Sequence, residues 1–600
     1  MTIPSIPDLT LTQMLRAHAR ERPGGLALRQ KDFGIWQPYT WHDYYQRACR
    51  FGLGLRALGL EEGGHVAIIS ENRVEWVIAQ MGIGMARGIC VGVYPTSPWN
   101  EVAYILEHSD AEIVVCEDQE QTDKVLEAWP DLPELKYSIA IDMKGLGYYS
   151  QPPAAFGDIE ARGREFEKEH PGLVDELLDD QQMDDTALMV YTSGSTGRPK
   201  GAMISWGNLH AAAPGLIELL QADEHGSCLS YLPLCHVAEQ AVTNIAPMYA
   251  GSVVSFGESL RTIQEDLREI APTFFLGVPR IWEKLHSSIY IKIQETGRFR
   301  RALFNWAISM CSPMSTKPRA QWNLKEKVAY SLSYWLVFRA LQNFIGLRRC
   351  TLAMTGAAPI ATGILEFFRT IGIPLVEVYG QTESTGVATA QPVDNVHMGT
   401  VGVAIAGVEV KLGENNEIIM RGGSIFKGYY KNEETTASTL KDGWLHTGDV
   451  GEWRAGQLKI VDRLKDIIIT AGGKNLSPTE IENTVKASPY VKECIVIGEA
   501  RKYVSALIQI DFDTVAKWAE QKRIAYTTFR SLAEEKRVNE LIQAEVNKAN
   551  EQLPQVAQIK RFHLLTKELD HDDDEVTATM KVRRSKIYEK YTEVIESLYT

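Results

Sequence analysis

None of the eight cysteines, at positions 49, 90, 116, 228, 235, 311, 350 and 494, stands in a C-x-x-C pair. Neither a structural zinc knuckle nor a redox dithiol is signalled, and a reducing compartment suits the chain. Apolar runs are short as well. No uninterrupted apolar stretch reaches the roughly 18 residues that span a bilayer, and the opening MTIPSIPDLTLTQMLRAHARERP has no apolar core behind a basic head. The expected location is therefore cytoplasmic. Positive charge is in deficit: 63 Lys plus Arg against 77 Asp plus Glu leaves a formal charge of -14, which argues against general electrostatic binding to nucleic acid. Repeats and low-complexity tracts are missing, apart from an acidic run from Asp570 to Glu575 that reads as a solvated turn.

What is present is the composition of a folded chain. Of 600 residues, 44% are hydrophobic and 23% charged, which is globular rather than disordered or fibrous. Short β-branched runs (Val66 to Ser70, Cys90 to Tyr94, Ile113 to Cys116) alternate with helix-length stretches such as Arg73 to Arg87. The same rhythm returns at Ala187 to Thr192, Ser252 to Phe256, Thr273 to Val278, Arg349 to Thr355 and Leu375 to Val378. This predicts an α/β fold: parallel or mixed sheets with covering helices, and ligands at the loops on the carboxyl ends of the strands.

After Gly386 glycine-punctuated short strands take over (Val408 to Leu412, Glu417 to Arg421, Gly456 to Val461) and predict a small β subdomain over about 387–461. A large N-terminal domain, 1–461, should then give way to a smaller α+β C-terminal domain, 462–600. In the latter, Ser477, Pro478 and Glu480 form an N-cap, N1 and N3 pattern opening a helix, and a strand follows at Glu493 to Gly498.

One stretch runs against the overall charge. Between Lys284 and Arg349 twelve cations face only Glu295 and Glu326, a local balance of +10, with Trp306, Trp322, Trp335 and Phe338 interleaved. This basic helical insertion, about 284–349, reads either as a solvated helical surface or as one suited to anionic phospholipid, which would make the protein peripheral at the inner membrane face.

The strongest chemical signal is YTSGSTGRPKGAM, Tyr191 to Met203, where a predicted strand gives way to a loop of hydroxyls and glycines ending in a lysine. Glycines let backbone N–H groups approach an anion, Thr192, Ser193, Ser195 and Thr196 offer hydroxyls, and Lys200 supplies charge. It is no Walker A loop: Pro199 precedes the lysine and Gly201 follows it, so the hydroxyl that would hold magnesium there is out of place.

The whole string resembles the phosphate loop of the acyl-adenylating superfamily, which includes acyl-CoA synthetases, adenylation domains of peptide synthetases and firefly-type luciferases. Further motifs of that family follow in order. LPLCHVAEQ, Leu232 to Gln240, resembles the segment whose histidine, here His236, lines the acyl pocket. TGAAP, Thr355 to Pro359, resembles the adenine-contacting loop with Gly356, Ala357 and Ala358. In YGQTES, Tyr379 to Ser384, the resemblance implies that Tyr379 stacks on adenine beside Gly380 and Gln381. Thr382 would contact the α-phosphate, and Glu383 with Thr196 would hold Mg2+.

GWLHTGD ends at Asp449, matched to the ribose hydroxyls. DRLKDIIITAGGKNLSPTEIE carries Arg463, a second ribose contact, Lys465, the hinge of a mobile C-terminal domain, and Gly472 and Gly473, bordering the pantetheine tunnel. TATMKVRR, Thr577 to Arg584, places Lys581 as the catalytic lysine, together with Gly194 and Gly197 of the phosphate loop among the matched positions. Met580 stands where the commoner form has glycine, as in the long-chain branch, while Ala578 and Asp574 replace that branch's proline and glycine.

The resemblance implies an AMP-forming acyl-CoA synthetase with ATP, Mg2+ and coenzyme A as its cofactors. The 600-residue length, the basic insertion and Met580 point to a long-chain or bulky hydrophobic carboxylic acid as substrate. An acyl-AMP ligase loading a carrier protein, or a lipid-binding protein without turnover on the same scaffold, remain the alternatives.

Overall fold

A computed structural model gives the fold and describes residues 6–192, 198–259, 261–464, 466–471, 474–570, 573, 575–576 and 582–600. Its centre is an eight-stranded sheet. The middle strands His65–Ile69, Ile89–Val93, Ala111–Cys116 and Thr186–Thr192 run parallel, Lys200–Ser205 turns back antiparallel, and Gly428–Tyr429 closes that edge. The β-branched runs become strands because both faces of the sheet are covered. Every residue of His65–Ile69 is buried, the mark of a parallel strand packed on both sides. The covering helix Val74–Met85 is likewise buried except at Glu75.

A second sheet of five strands sets Phe274–Gly277, Leu352–Thr355 and Leu375–Gln381 parallel, then Gly386–Ala390 and Val403–Ala404 antiparallel. A third, four-stranded sheet joins Ser227–Ser230 and Val253–Phe256 to the N-terminal hairpin Leu26–Asp32 and Ile35–Thr40. The mixed α/β class read from the sequence is the observed one.

The glycine-rich stretch divides differently from the expectation. Val408–Leu412, Glu417–Gly422, Trp444–Arg454 and Gln457–Arg463 do form an antiparallel sheet. Gly386–Ala390 and Val403–Ala404, however, complete the five-stranded sheet, and Gly428–Tyr429 is an edge of the large one. Pairing partners decide this, and the local pattern does not carry them.

Beyond Arg463 a separate buried cluster, running from Ile468 to Leu564, packs a three-stranded sheet against helices. The helix Pro478–Lys486 opens as read, with the Ser477 hydroxyl accepting from the Glu480 N–H at 3.1 Å. In the acidic run Asp570 and Asp573 are exposed as expected, and the correction is Glu575. Glu575 is fully buried, held by Lys590 at 2.8 Å and Lys567 at 2.9 Å, so it ties the tail down instead of solvating it. Among the described residues no helix is long and apolar enough to cross a membrane.

Candidate functional site

The ends of the phosphate-loop string are held side by side, since Thr192 and Lys200 are register partners across an antiparallel pair. Ser193, Gly194, Ser195, Thr196 and Gly197 lie outside the described residues, as do Lys465, Gly472, Gly473 and Lys581. The far end of the loop is clamped: the Tyr104 hydroxyl donates to the Pro199 carbonyl at 3.0 Å, and the Arg198 guanidinium lies 5.0 Å over the Tyr104 ring.

Two constellations form where the strand Leu375–Gln381 ends. The first gathers on Asp449, which is buried. Its Oδ2 accepts from the Tyr379 hydroxyl at 2.6 Å and from Gln381 Nε2 at 2.8 Å, while Arg463 Nε stands 3.4 Å from Oδ1. Burial and the adjoining carboxylate push the Tyr379 phenol well above its ordinary range, so it stays a neutral donor.

The second constellation joins Glu383 to the phosphate-loop strand. The Tyr429 hydroxyl donates to Glu383 Oε1 at 2.5 Å, and Lys200 Nζ lies 5.4 Å over the Tyr429 ring. Tyr429 reaches both because its short strand pairs with Lys200–Ser205. The other carboxylate oxygen, Glu383 Oε2, takes no hydrogen bond among the described residues. A half-buried carboxylate is a hard oxygen donor of the kind that fits a magnesium ion.

Local backbone explains two of the matched glycines. A Cβ at Gly380 would collide with the Gly386 carbonyl, and one at Gly356 would meet Val378 Cγ2 at 2.9 Å. Glycine is thus what lets the two loops lie flat against the strand end. Next to Gly356, Ala357 takes φ +66°, a left-handed conformation that costs a residue with a side chain about 1 kcal/mol or more. Ala357 and Ala358 are both exposed, while Thr382 is buried and Glu383 half-buried.

His236 caps a short helix, its Nδ1 accepting from the Ala238 N–H at 3.1 Å. The neutral ring therefore carries its proton on Nε2. That helix packs on Gly386–Ala390, with the Val237 carbonyl 3.7 Å from a Cβ position at Gly386, so His236 stands near the strand hairpin that bears Thr382 and Glu383. Three residues on, the carboxyl of Glu239 is fully buried, accepting from Thr243 at 2.7 Å and from the Tyr231 N–H at 3.2 Å. Burial pushes its pKa up to about 7.

Sequence reasoning missed Tyr429, which no spacing rule marks, and Asp462. The latter accepts from the Ser477 hydroxyl at 2.6 Å and from that of Thr479 at 3.1 Å, tying the end of the strand Gln457–Arg463 to the start of the helix Pro478–Lys486. The flanks of position 581 are also fixed. Val576 and Val582 form an antiparallel bridge, and Arg584 pairs with Glu482 at 2.7 Å in a nearly closed site.

The protein family described as AMP-binding enzyme matches residues 15–430, and the AMP-binding enzyme C-terminal domain matches residues 465–600. The chain is 30% identical to the long-chain-fatty-acid–CoA ligase ACSBG2 of Xenopus laevis over its full length and 84% of that protein. It is 29% identical to the long-chain-fatty-acid–CoA ligase FadD15 of Mycobacterium bovis, over 98% of this chain and 96% of that one. Among solved structures, the adenylation domain of a carboxylate reductase from Mycobacterium chelonae superposes with a TM-score of 0.73 at 20% identity, covering 99% of this chain and 91% of that one. An anthranilate CoA ligase in complex with anthranoyl-AMP superposes with a TM-score of 0.71 at 19% identity, covering 99% of both chains. The structural likeness is one of fold.

Proposed function

The chain belongs to the AMP-binding enzyme family and is an AMP-forming ligase, and on that footing we propose that it joins a long-chain or bulky hydrophobic carboxylic acid to coenzyme A through an acyl-AMP intermediate. The observation that carries this reading is the pair of constellations at one strand end: Tyr379, Gln381 and Arg463 on Asp449, and Lys200 with Tyr429 on Glu383. One suits a nucleoside and the other its phosphates. The acid class is supported by relatives named long-chain-fatty-acid–CoA ligases, 84% and 96% of whose lengths the match covers.

A free carboxylate resists attack because oxide is a hopeless leaving group, so it must first become a mixed anhydride. In the proposed first step a carboxylate oxygen bonds to the α-phosphorus of ATP while the bond to pyrophosphate breaks. Like charges repel strongly there. Lys581 and Lys200 would offset the charge that builds up, Thr382 would donate to the α-phosphate, and Asp449 with Arg463 would hold the ribose. Glu383 and Thr196 would hold Mg2+, which supplies neutralisation of phosphate charge when bound. His236, with its proton on Nε2, would line the acyl entrance as a donor.

In the second step the thiol of coenzyme A gives its proton to solvent and its sulfur bonds to the acyl carbon, while AMP leaves with the electron pair of the broken carbon–oxygen bond. A lysine seated at the α-phosphate would obstruct that approach, so the C-terminal domain turns about Lys465 and brings Gly472 and Gly473 to the pantetheine. Acids of this length partition into membranes rather than water, and the proposal extends to a peripheral membrane contact through the basic helices.

The test is pyrophosphate release across acids graded in chain length and ring content, with coenzyme A consumption followed in parallel. Release rising with apolar length, with thioester formed in step, is the expected outcome. Acyl-AMP that accumulates until a carrier protein is added would overturn the acceptor. Acid binding with no pyrophosphate at all would reduce the protein to a lipid carrier.

A further inference from the structure

Two packed helices of the basic insertion carry a surface that the ligase chemistry leaves unused. In the helix Leu324–Ser333 and the π-turn Tyr334–Phe338 that continues it, Leu324, Val328, Leu332, Trp335 and Leu336 recur every three or four residues, and all are exposed. That spacing makes one continuous apolar stripe on one helix face. The neighbouring helix Arg298–Cys311 adds Phe299 and Trp306 in the same manner, seven residues apart. Phe299 is 80% and Leu324 77% exposed, and of nineteen exposed large hydrophobic side chains among the described residues, eight lie on these helices. Such a concentration marks an interaction surface.

The charges say what it meets. Arg298 and Arg300 flank Phe299, Lys325 and Lys327 interleave with the stripe, and none of the four forms an ion pair among the described residues. The Arg339 guanidinium lies 4.9 Å over the Trp335 ring, placing a cation at the edge of the apolar surface. A second copy would set one +10 stretch against another in a two-fold contact, which repels. A bilayer of anionic phospholipid offers both complements, phosphates for the cations and acyl chains for the stripe.

We infer that this face docks the protein peripherally on an anionic phospholipid bilayer. Leu324, Leu332, Trp335 and Phe299 enter the boundary between headgroups and acyl chains, while Arg298, Arg300, Lys325 and Lys327 rest on the lipid phosphates. Its use, collecting a water-insoluble acid from the membrane, rests on the long-chain reading; the docking itself rests on the surface.

Flotation of the full-length protein with phosphatidylcholine vesicles, and with vesicles of equal parts phosphatidylcholine and phosphatidylglycerol, tests it in the absence of ATP and acid. The protein should float with the anionic vesicles, far less with phosphatidylcholine alone, and be released by high salt. Joint replacement Leu324→Ser and Leu332→Ser should lower the partition coefficient by about tenfold per leucine. Lys325→Gln and Lys327→Gln should lower it by about fivefold each. All four residues are exposed, so pyrophosphate release with a water-soluble short acid should be unchanged and certifies the fold. Equal binding to both vesicle types, variants that float like the parent, or a lipid-free dimer abolished by the leucine changes would each overturn the inference. Because flotation is read without turnover, its failure is distinct from failure of the ligase reading.

Discussion

Tyr429 joins the two halves of the phosphate end, touching Glu383 through its hydroxyl and Lys200 through its ring. Tyr429→Phe keeps the ring and removes the hydroxyl. It should slow pyrophosphate release by about tenfold, the worth of one charge-assisted hydrogen bond, whereas Glu383→Gln should slow it by about a hundredfold or more. Steady-state kinetics at saturating ATP checks both. A different kind of test comes from Glu377, two residues before Tyr379, whose carboxyl is fully buried with Oε2 unpartnered. Burial pushes its pKa up to about 8 from an ordinary 4.5. The native state therefore keeps a proton that the unfolded chain gives up, so this group's contribution to stability falls as pH climbs from 4.5 to about 8 and levels off above. Glu377→Gln should remove that slope and leave the variant more stable than the parent near pH 9, by on the order of 3 kcal/mol. Denaturant unfolding at about pH 6 and about pH 9 reads the difference.

The strand pair Leu375–Gln381 and Gly386–Ala390 carries Thr382 and Glu383 on its turn, and it closes because Gly380 has no Cβ to strike the Gly386 carbonyl. Gly380→Ala should cost on the order of 3 kcal/mol in thermal or denaturant unfolding and lower pyrophosphate release with it. In the tail, Arg584 neutralises Glu482 inside the small domain, where burial already raises the carboxyl's pKa. Arg584→Ala should destabilise that domain by about 3 kcal/mol, since it strands a buried charge, and limited proteolysis should show cleavage there first. These pieces were unequally legible. Strands such as His65–Ile69 and Ala111–Cys116 declare themselves by β-branched runs within a residue or two of their observed ends. The helix at Pro478 declares itself by its cap. The motif residues Tyr379, Glu383 and Asp449 could be named from the chain, yet not that Asp449 would take the Tyr379 hydroxyl. Tyr429 and Asp462 act through partners 46 and 15 residues away in sequence, and the buried Glu575 finds lysines on both sides of it. Long-range pairing of that kind leaves no periodic trace in a single sequence.

The largest core gathers residues from Leu11 to Leu458, and two C-terminal clusters, one from Ile468 to Leu564 and one from Ile495 to Leu598, lie beyond Asp462, whose carboxylate takes the Ser477 hydroxyl. On the proposed reading the large N-terminal core holds the nucleotide and the acid, and the C-terminal domain lends Lys581 to the first half-reaction and withdraws it for the second. Lys581→Ala should then cost about 3–4 kcal/mol in adenylation, a loss of a hundredfold or more, with thioester formation from supplied acyl-AMP nearly untouched. The most direct measurement is therefore to give parent and Lys581→Ala proteins a long-chain acid with ATP and Mg2+, and separately the ready-made acyl-AMP with coenzyme A, following pyrophosphate in one case and thioester in the other. The account expects the variant to fail the first assay and pass the second. Equal loss in both, or full pyrophosphate release without the lysine, would contradict it.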